Sequence, residues 1–356
     1  NNSQFLKSCI GCKDCFGSVN LRNKQYYFFN EKYSKEEYEA KVKSLKLEQR
    51  SRLEEFRRKF TEFIKRFPVR YMQGTHNDNV LGDYLTNSKN ALYCFDSRKL
   101  WDCKYITQSF DDAKDCMDCT EIGDGVELFY ETAYSGYTGH LSRFVSHCLG
   151  RTSNLTYCYF SPFSTNCFGC AGLHHAQYCI LNKQYTEAEY AAFVPKIIEH
   201  MRETGEWGEY FPPSLAPFPY NTTHAYEYFP LSRQEAERRG FRWKEEEEKN
   251  HKPGTYELPD ALADTPNSVL NELLACEVSG KNFKIQKAEL AFYKKMGSPL
   301  PSVSPDERHM RRVRLRNPRV LYRRSCAKSG TELLTTIAPD RPEEVLSERE
   351  FQKILD

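Results

Sequence analysis

The sequence lacks any run of apolar residues long enough to cross a bilayer as a helix, which takes about 20 in succession, and no membrane span is expected. It also lacks an excess of charge. With 51 Lys and Arg against 49 Asp and Glu the net charge is +2, so attraction to nucleic acid or to a membrane surface would have to come from a local patch. No Gly-rich phosphate loop, nucleophile elbow or HExxH occurs, and the sequence signatures of nucleotide binding, serine hydrolysis and zinc peptidases are therefore missing. The chain begins at Asn1, with no signal-like segment, almost inside a repeat. That points to a processed or excised N-terminus or to residues upstream.

What is present is 39% hydrophobic and 14% aromatic residues, enough for real cores in a chain of 356 residues that has room for two or three domains. There are 14 cysteines, and all but Cys276 and Cys326 lie before residue 180. In a chain of this size with no signal segment, reduced thiols in an intracellular, reducing compartment are the expectation. Asn154 and Asn221 match the glycosylation acceptor pattern, a pattern that chance readily produces.

The dominant feature is an internal duplication. Asp14 to Tyr38 and Asn166 to Tyr190 align without a gap at a constant offset of 152 residues, as in Cys15 to Cys167 and Tyr38 to Tyr190. Phe16/Phe168, Gly17/Gly169, Leu21/Leu173, Gln25/Gln177, Tyr26/Tyr178, Asn30/Asn182, Tyr33/Tyr185 and Glu37/Glu189 are also identical. Each copy starts with short aromatic and Cys-rich runs that suit strands. Each then reaches a capping box, Ser34 to Glu37 or Thr186 to Glu189, that predicts a helix. The first helical region is expected over 35–67, with a stripe of Leu53, Phe56, Phe60, Phe63, Ile64 and Phe67 stopped by Pro68. In the second, Tyr190, Phe193, Val194, Ile197, Ile198 and Met201 share one face.

From residue 87 to 185, anchors such as Tyr93-Cys94-Phe95, Cys103 to Ile106, Cys116 to Cys119, Leu128 to Tyr130, Tyr157 to Tyr159 and Tyr178 to Ile180 recur about every ten residues. That spacing predicts a β-solenoid with two short strands per coil of about twenty residues. Inward cysteines then serve as small packing groups. The alternative is zinc at Cys116, Cys119, Cys167 and Cys170, which have knuckle spacing and have His174 and His175 nearby. Cys9, Cys12 and Cys15 form a further CxxCxxC run.

Residues 203–230 are rich in Gly, Pro and aromatics and are expected to wrap over the solenoid in extended form, docking Trp207, Tyr210, Phe211 and Phe218. A third capping box, Ser232 to Glu235, opens a short helix ended by Gly240. The charged stretch from Trp243 onward marks a linker. The expected domains are thus 1–86, the first repeat copy with amphipathic helices; 87–245, the solenoid core with the second copy and the wrapping segment; a linker over 246–266; and a C-terminal domain over 267–356.

Cys276-Glu-Val-Ser279-Gly280, Pro299-Leu-Pro301 and Ser304-Pro-Asp-Glu307 in one unit, with Cys326-Ala-Lys-Ser329-Gly330 and Ser347-Glu-Arg-Glu350 in a second, resemble the zinc-ribbon family. In that family the positions of Cys276, Ser279, Ser304 and Glu307, and of Cys326, Ser329, Ser347 and Glu350, would all be cysteine. Each frame keeps one thiolate of four, too few for tetrahedral zinc. The resemblance therefore implies the fold without the metal, with Leu290, Phe292, Tyr293, Leu321 and Tyr322 as candidates to replace it by packing. Between the frames lie Arg308, Arg311, Arg312, Arg314, Arg316, Arg319, Arg323 and Arg324, a patch able to hold phosphates of RNA or DNA or an acidic partner. Alternatively these arginines pair with the acidic residues of 340–350 or of Glu245 to Glu248.

As a whole the chain resembles an uncharacterised group of cysteine-rich repeat proteins in which solenoid units with an N-C-F-G-C and N-K-Q-Y signature precede paired zinc ribbons. The implied fold class is mainly β with inserted helices. The functional expectation is a non-catalytic structural or interaction protein in a larger assembly, needing no cofactor. Nucleic-acid binding through Arg308 to Arg324 is the alternative. A Cys-dependent enzyme, using Cys167 with His174 or Cys148 beside His147, is a minor one.

Overall fold

The computed structural model describes residues 2–245 and 251–355. It is mainly β with inserted helices. Glu246 to Glu248, and the first part of the expected linker, lie outside the described residues.

Two parallel ladders carry the architecture. In the first, Lys13–Phe16 pairs with Gln25–Phe28, and isolated bridges from Gln4 to Phe16 and Ile10 to Arg22 add a preceding row. The second is a sheet whose strands pair in chain order from Gly74–Thr75 to Gln177–Ile180 and are closed by an antiparallel Lys183–Gln184. Ala113–Lys114 and Met117–Thr120 are two pieces of one interrupted row. Both lie between Leu100–Thr107 and Val126–Ala133, which makes a closed set of four pairings without a barrel.

The register overturns the expected coil. Cys167 lies beside Cys179, twelve residues on, and Met117 beside Tyr130, thirteen on, so each circuit of the backbone is well short of the twenty or so residues expected. A circuit has four sides of about three residues. A left-handed residue opens each side, as at Tyr93, Asp96, Lys99, Asp102, Tyr105 and Gln108, with φ between 51° and 57°. The next residue points inward: Cys94, Ser97, Leu100, Cys103, Ile106 and Ser109 are all buried. Asn and Asp adopt this backbone readily, and their side chains bond along the corner, as Asn90 does to Asp102 at 2.7 Å. Inward serines bond the next circuit's backbone: Ser97 Oγ accepts the Ser109 N–H at 3.0 Å, and Ser142 Oγ accepts the Leu155 N–H at 3.4 Å. The boundary expected at 86/87 falls inside this ladder, because the rows at 74–75 and 78–86 already pair in register with those that follow.

The duplicated unit is the end cap of each ladder. Asn30 Oδ1 accepts from the Val19 N–H at 2.7 Å and its Nδ2 donates to the Val19 carbonyl at 2.9 Å; Asn182 does the same to Ala171, both at 2.8 Å. Even the Ser-for-Cys difference keeps its bond, since the Asn30 N–H meets Ser18 Oγ and the Asn182 N–H meets Cys170 Sγ, each at 3.4 Å. Both capping boxes close. Helix α1, Lys35–Ser44, then lays Tyr38 over the first ladder, and α3, Glu187–Glu203, lays Tyr190 over the second. The helical region expected over 35–67 breaks at residues 45–49 into α1 and α2, Arg50–Ile64, which buries Phe56 and Phe63 against the first ladder.

Beyond α3, Trp207 packs edge-on against Tyr157 with ring centroids 6.0 Å apart, and the Tyr210 hydroxyl donates to the Val145 carbonyl at 3.3 Å. Phe218, expected to dock as well, is 65% exposed. The chain has left the ladder by then, and the Tyr220 N–H bonds the Arg242 carbonyl instead. Two short helices follow, His224–Tyr228 (α4) and Arg233–Arg238 (α5). Only half of the third capping box forms, since the Glu235 carboxylate turns to Arg238 and Arg239.

The C-terminal region is two similar modules. The first pairs Leu274–Ala275 with Asn282–Phe283 and continues into α6, Lys287–Met296, and α7, Pro305–Val313. The second pairs Tyr322–Ser325 with Glu332–Thr335 and ends in α8, Glu348–Gln352. Residues 251–266, expected as a linker, are packed: Leu262 lies in the first module's core, and Asp260 accepts the Ser51 N–H at 2.7 Å at the start of α2. In the second module Val345–Leu346 pairs parallel with Val69–Arg70, so the module clasps the junction between the two ladders. Leu290 and Tyr293 do pack in the first module, but Phe292 is 58% exposed, on the far side of α6 from that core. Leu333, Ile337, Leu346 and Phe351 fill the second. Leu321 and Tyr322 are only half-buried outside it, because the hairpin turns its other face inward.

Candidate interaction surface

The cysteines considered as metal ligands or nucleophiles sit on the inward columns. Cys116 and Cys119 donate to the carbonyls of Lys114 and Met117, and Cys167 and Cys170 to those of Thr165 and Phe168, at 3.1–3.4 Å. Burial pushes the Cys94 and Cys119 thiols up to about 12 and that of Cys148 up to about 11, against nucleophilic use. All 14 cysteines are free. The structure does not assemble the proposed Cys and His pairs. Cys167 is inward, while His174 lies outside, edge-on to Phe163 and His175. His147 bonds Ser146 Oγ at 2.8 Å on the opposite side of the backbone from Cys148. Among the described residues no group of three or more His, Cys, Asp or Glu side chains is placed to hold a metal ion.

The serines expected at ligand positions, in contrast, are gathered around Cys276 and Cys326. In the second module the Cys326 N–H donates to the Thr331 carbonyl and the Gly330 N–H to the Cys326 carbonyl, forming a tight knuckle, and the Ser347 N–H points at Cys326 Sγ at 3.3 Å. The first module repeats this with Cys276, Lys281 and Gly280. Ser304 and Ser347 cap α7 and α8, accepting the N–H groups of Glu307 and Glu350. Burial pushes the Cys326 thiol up, but the Ser329 hydroxyl and the N–H groups of Ser347, Ser329 and Lys328 outweigh it and hold the thiol down to about 6; the matching set holds Cys276 at about 7. A folded value below the unfolded one means that this contribution to stability is full above the ordinary thiol range and is lost as pH falls through 7 and 6. Thiolate absorbance near 240 nm should therefore show a step between pH 6 and 8 that disappears in the Cys276→Ser/Cys326→Ser double variant. An unchanged step would assign it to other thiols.

The arginine segment is largely held within the chain. Arg308 pairs with Glu289 at 2.7 Å, Arg311 and Arg314 with Glu307 at 3.8 and 3.0 Å, and Arg323 with Glu332 at 3.3 Å. Arg324 donates to the carbonyls of Ala338, Arg341 and Glu343. The Arg319 Nε donates to Asp96 at 2.9 Å; its Nη2 lies 2.8 Å from the same oxygen but off line for a hydrogen bond. The Arg319 guanidinium also rests on the Tyr228 ring at 3.7 Å, and Arg316 reaches the same tyrosine. Arg312, exposed on α7, is in no ion pair among the described residues. Most partners are neither of the acidic runs expected, because the segment lies between the first module and the second ladder and meets the carboxylates of both.

Sequence reasoning missed a ridge of outward aromatics and histidines late in the second ladder. Tyr134 stacks on His147 at 5.0 Å, His147 meets Tyr159 at 5.5 Å, and Phe163 stacks on His175 at 5.1 Å. Tyr134, Tyr137, Phe160 and Phe163 are each 45–58% exposed. The available signal was the spacing Tyr134-x-x-Tyr137 and Phe160-x-x-Phe163, a period of three that places both members at outward corners.

Set against models of known protein families and against curated protein sequences, the chain matches none.

Proposed function

We propose that this chain is a non-catalytic interaction protein of a larger assembly: a solenoid of two capped ladders, clasped by a pair of degenerate zinc-ribbon-like modules that have lost their metal, and working in a reducing compartment. The observation that carries this reading is the ridge of Tyr134, Tyr137, Phe160 and Phe163. Contiguous exposed aromatics mark contact sites, and rigid aromatic rings are frequent anchors of protein interfaces. The free inward thiols support a reducing environment. Nucleic-acid binding through Arg308 to Arg324 draws less support, since most of these arginines already neutralise carboxylates of this chain.

Light scattering behind size exclusion, on protein from its natural source at low salt, should give a mass well above one chain, with a protein-like 260/280 nm ratio. Phe160→Glu/Phe163→Glu, at exposed sites that leave the fold intact, should return the mass to one chain. A single-chain mass for the native protein overturns the reading. A high ratio that falls after nuclease moves the arginine segment to its centre.

A further inference from the structure

We propose that the cleft beside the second end cap receives an amphipathic helix of a partner protein, with a phenylalanine seated there as Phe56 is seated in the first copy. This rests on the interaction-protein reading and gives that reading a second, separate site.

The duplication supplies the argument. In the first copy, Phe56 of α2 is enclosed by Phe5, Phe16 and Phe29, with ring centroids 4.8, 4.9 and 5.4 Å away, and rests on Gly17. The residues 152 positions later are Tyr157, Phe168, Leu181 and Gly169. These four line a cleft of about 510 Å³, together with Ile197 and Met201 of α3. That volume is within the range of about 300–1,000 Å³ usual for binding pockets. Among the described residues no helix equivalent to α2 lies over it. Trp207 and Phe211 reach Tyr157 from one side, and Leu181, the counterpart of the half-buried Phe29, is left 74% exposed.

Gly169 is the second observation. The same corner of earlier circuits carries Tyr105, Asp118, Glu131, Phe144 and Tyr157, all left-handed with φ between 46° and 55°, so the backbone there does not require glycine. In the first copy the requirement is the Phe56 ring, 3.2 Å from where a Gly17 side chain would begin. In the second copy Leu181 Cδ2 lies 2.9 Å from where a Gly169 side chain would begin, and among the described residues no aromatic ring comes within 4 Å of that point. The corner that Phe56 covers in the first copy is covered here only by the tip of a leucine that is itself 74% exposed.

The occupant follows from α2 and from the rim. Phe56, Phe60 and Phe63 stand at i, i+4 and i+7, the spacing of a helix laid in a groove, with Arg57, Arg58 and Lys59 among them. Glu206 and Glu209 edge the cleft and favour a basic flank. A second copy of this chain is disfavoured, since its own Phe56 and Phe63 are 3% and 8% exposed and would have to leave the first ladder.

The probe is a fluorescent peptide with the sequence of residues 49–66, titrated into the full chain and followed by anisotropy. Saturable binding is expected, weakened at least tenfold by Leu181→Glu, by Gly169→Tyr, which fills the seat with a residue that this corner accepts elsewhere, and by Phe56→Ala in the peptide. No saturable binding, or equal binding to Leu181→Glu as when the peptide invades the first ladder, overturns the proposal. So does concentration-dependent dimerisation of the chain alone that Leu181→Glu abolishes, which would seat a second copy. An assembly in light scattering that persists in Leu181→Glu, with no peptide binding, removes this site and leaves the interaction reading standing.

Discussion

Replacing Gly82 by alanine is expected to lower folding stability by about 4 kcal/mol, at the upper end of single-substitution effects. Gly82 has φ +152°, and a Cβ there would lie 1.7 Å from the carbonyl oxygen of Cys94 in the next circuit. The pairing of Asp78–Thr86 with Lys89–Arg98 shifts register between Leu81 and Gly82, and the Cys94 backbone there leaves no room for a side chain on Gly82. A side chain could be accommodated only by separating rows that share hydrogen bonds on both sides of the bulge. Gly172→Ala is the control. Its φ of +70° is close to that of many ladder corners, and nothing lies within 4 Å of the new Cβ, so a cost of about 1–2 kcal/mol is expected. Urea denaturation of both variants checks the pair. Equal midpoints would mean that the bulge yields and that the glycine is there for some other reason.

Asp83→Ala, one residue on, is expected to cost about 3–4 kcal/mol, through a buried hydrogen-bond network left without its acceptor. The Asp83 carboxyl group is 2% exposed and accepts from the Gln73 N–H at 2.7 Å, the Tyr84 N–H at 3.0 Å, Asn317 Nδ2 at 3.1 Å and the Thr336 hydroxyl. The first two donors belong to the second ladder and the last two to the C-terminal half, so this one side chain bonds to both the clasp and the ladder. The variant should lose stability and also become open to limited proteolysis around residues 314–321. Asn317→Ala, which removes one exposed-side donor and leaves the rest satisfied, should do neither to a comparable degree. Loss of stability in Asp83→Ala without new cleavage would show that the module stays docked through its other contacts, the Val345–Leu346 pairing, Thr335 on the Tyr71 carbonyl and Arg319 on Asp96.

Much of this was legible at the level of local chemistry. The duplication, the first two capping boxes and the inward cysteines follow from residue types, because a capping box is satisfied within four residues and a thiol tolerates burial without a partner. The circuit length was not legible. Its true period is three, but the inward position is filled as readily by Ser97, Ser109, Thr132 or Ser142 as by Cys or Ile, with the hydroxyls of Ser97 and Ser142 donating to backbone carbonyls and that of Thr132 to Cys119 Sγ. A pattern sought in hydrophobicity therefore loses every second or third point, and the aromatic and Cys runs that remain suggest a spacing of ten. The clasp was hidden for a related reason. Asp83, Asp96 and Asp260 look like solvated corner or loop residues, and only the fold brings Thr336, Arg319 and Ser51 to them. The arginine segment misled in the opposite direction, since an exposed phosphate clamp and an internal set of ion pairs have the same composition.

The inward columns touch only the circuits directly before and after them, and the two caps are closed by their own Asn30 and Asn182. A circuit gained or lost from the middle of the second ladder would thus leave both ends intact and change a single quantity, the separation between the clasped start and the cap with its open cleft. That separation moves in steps of about 4.8 Å, the distance between neighbouring strands. In this sense the ladder is a graduated ruler, and what descendants of this chain could inherit most cheaply is a different length between the same two ends.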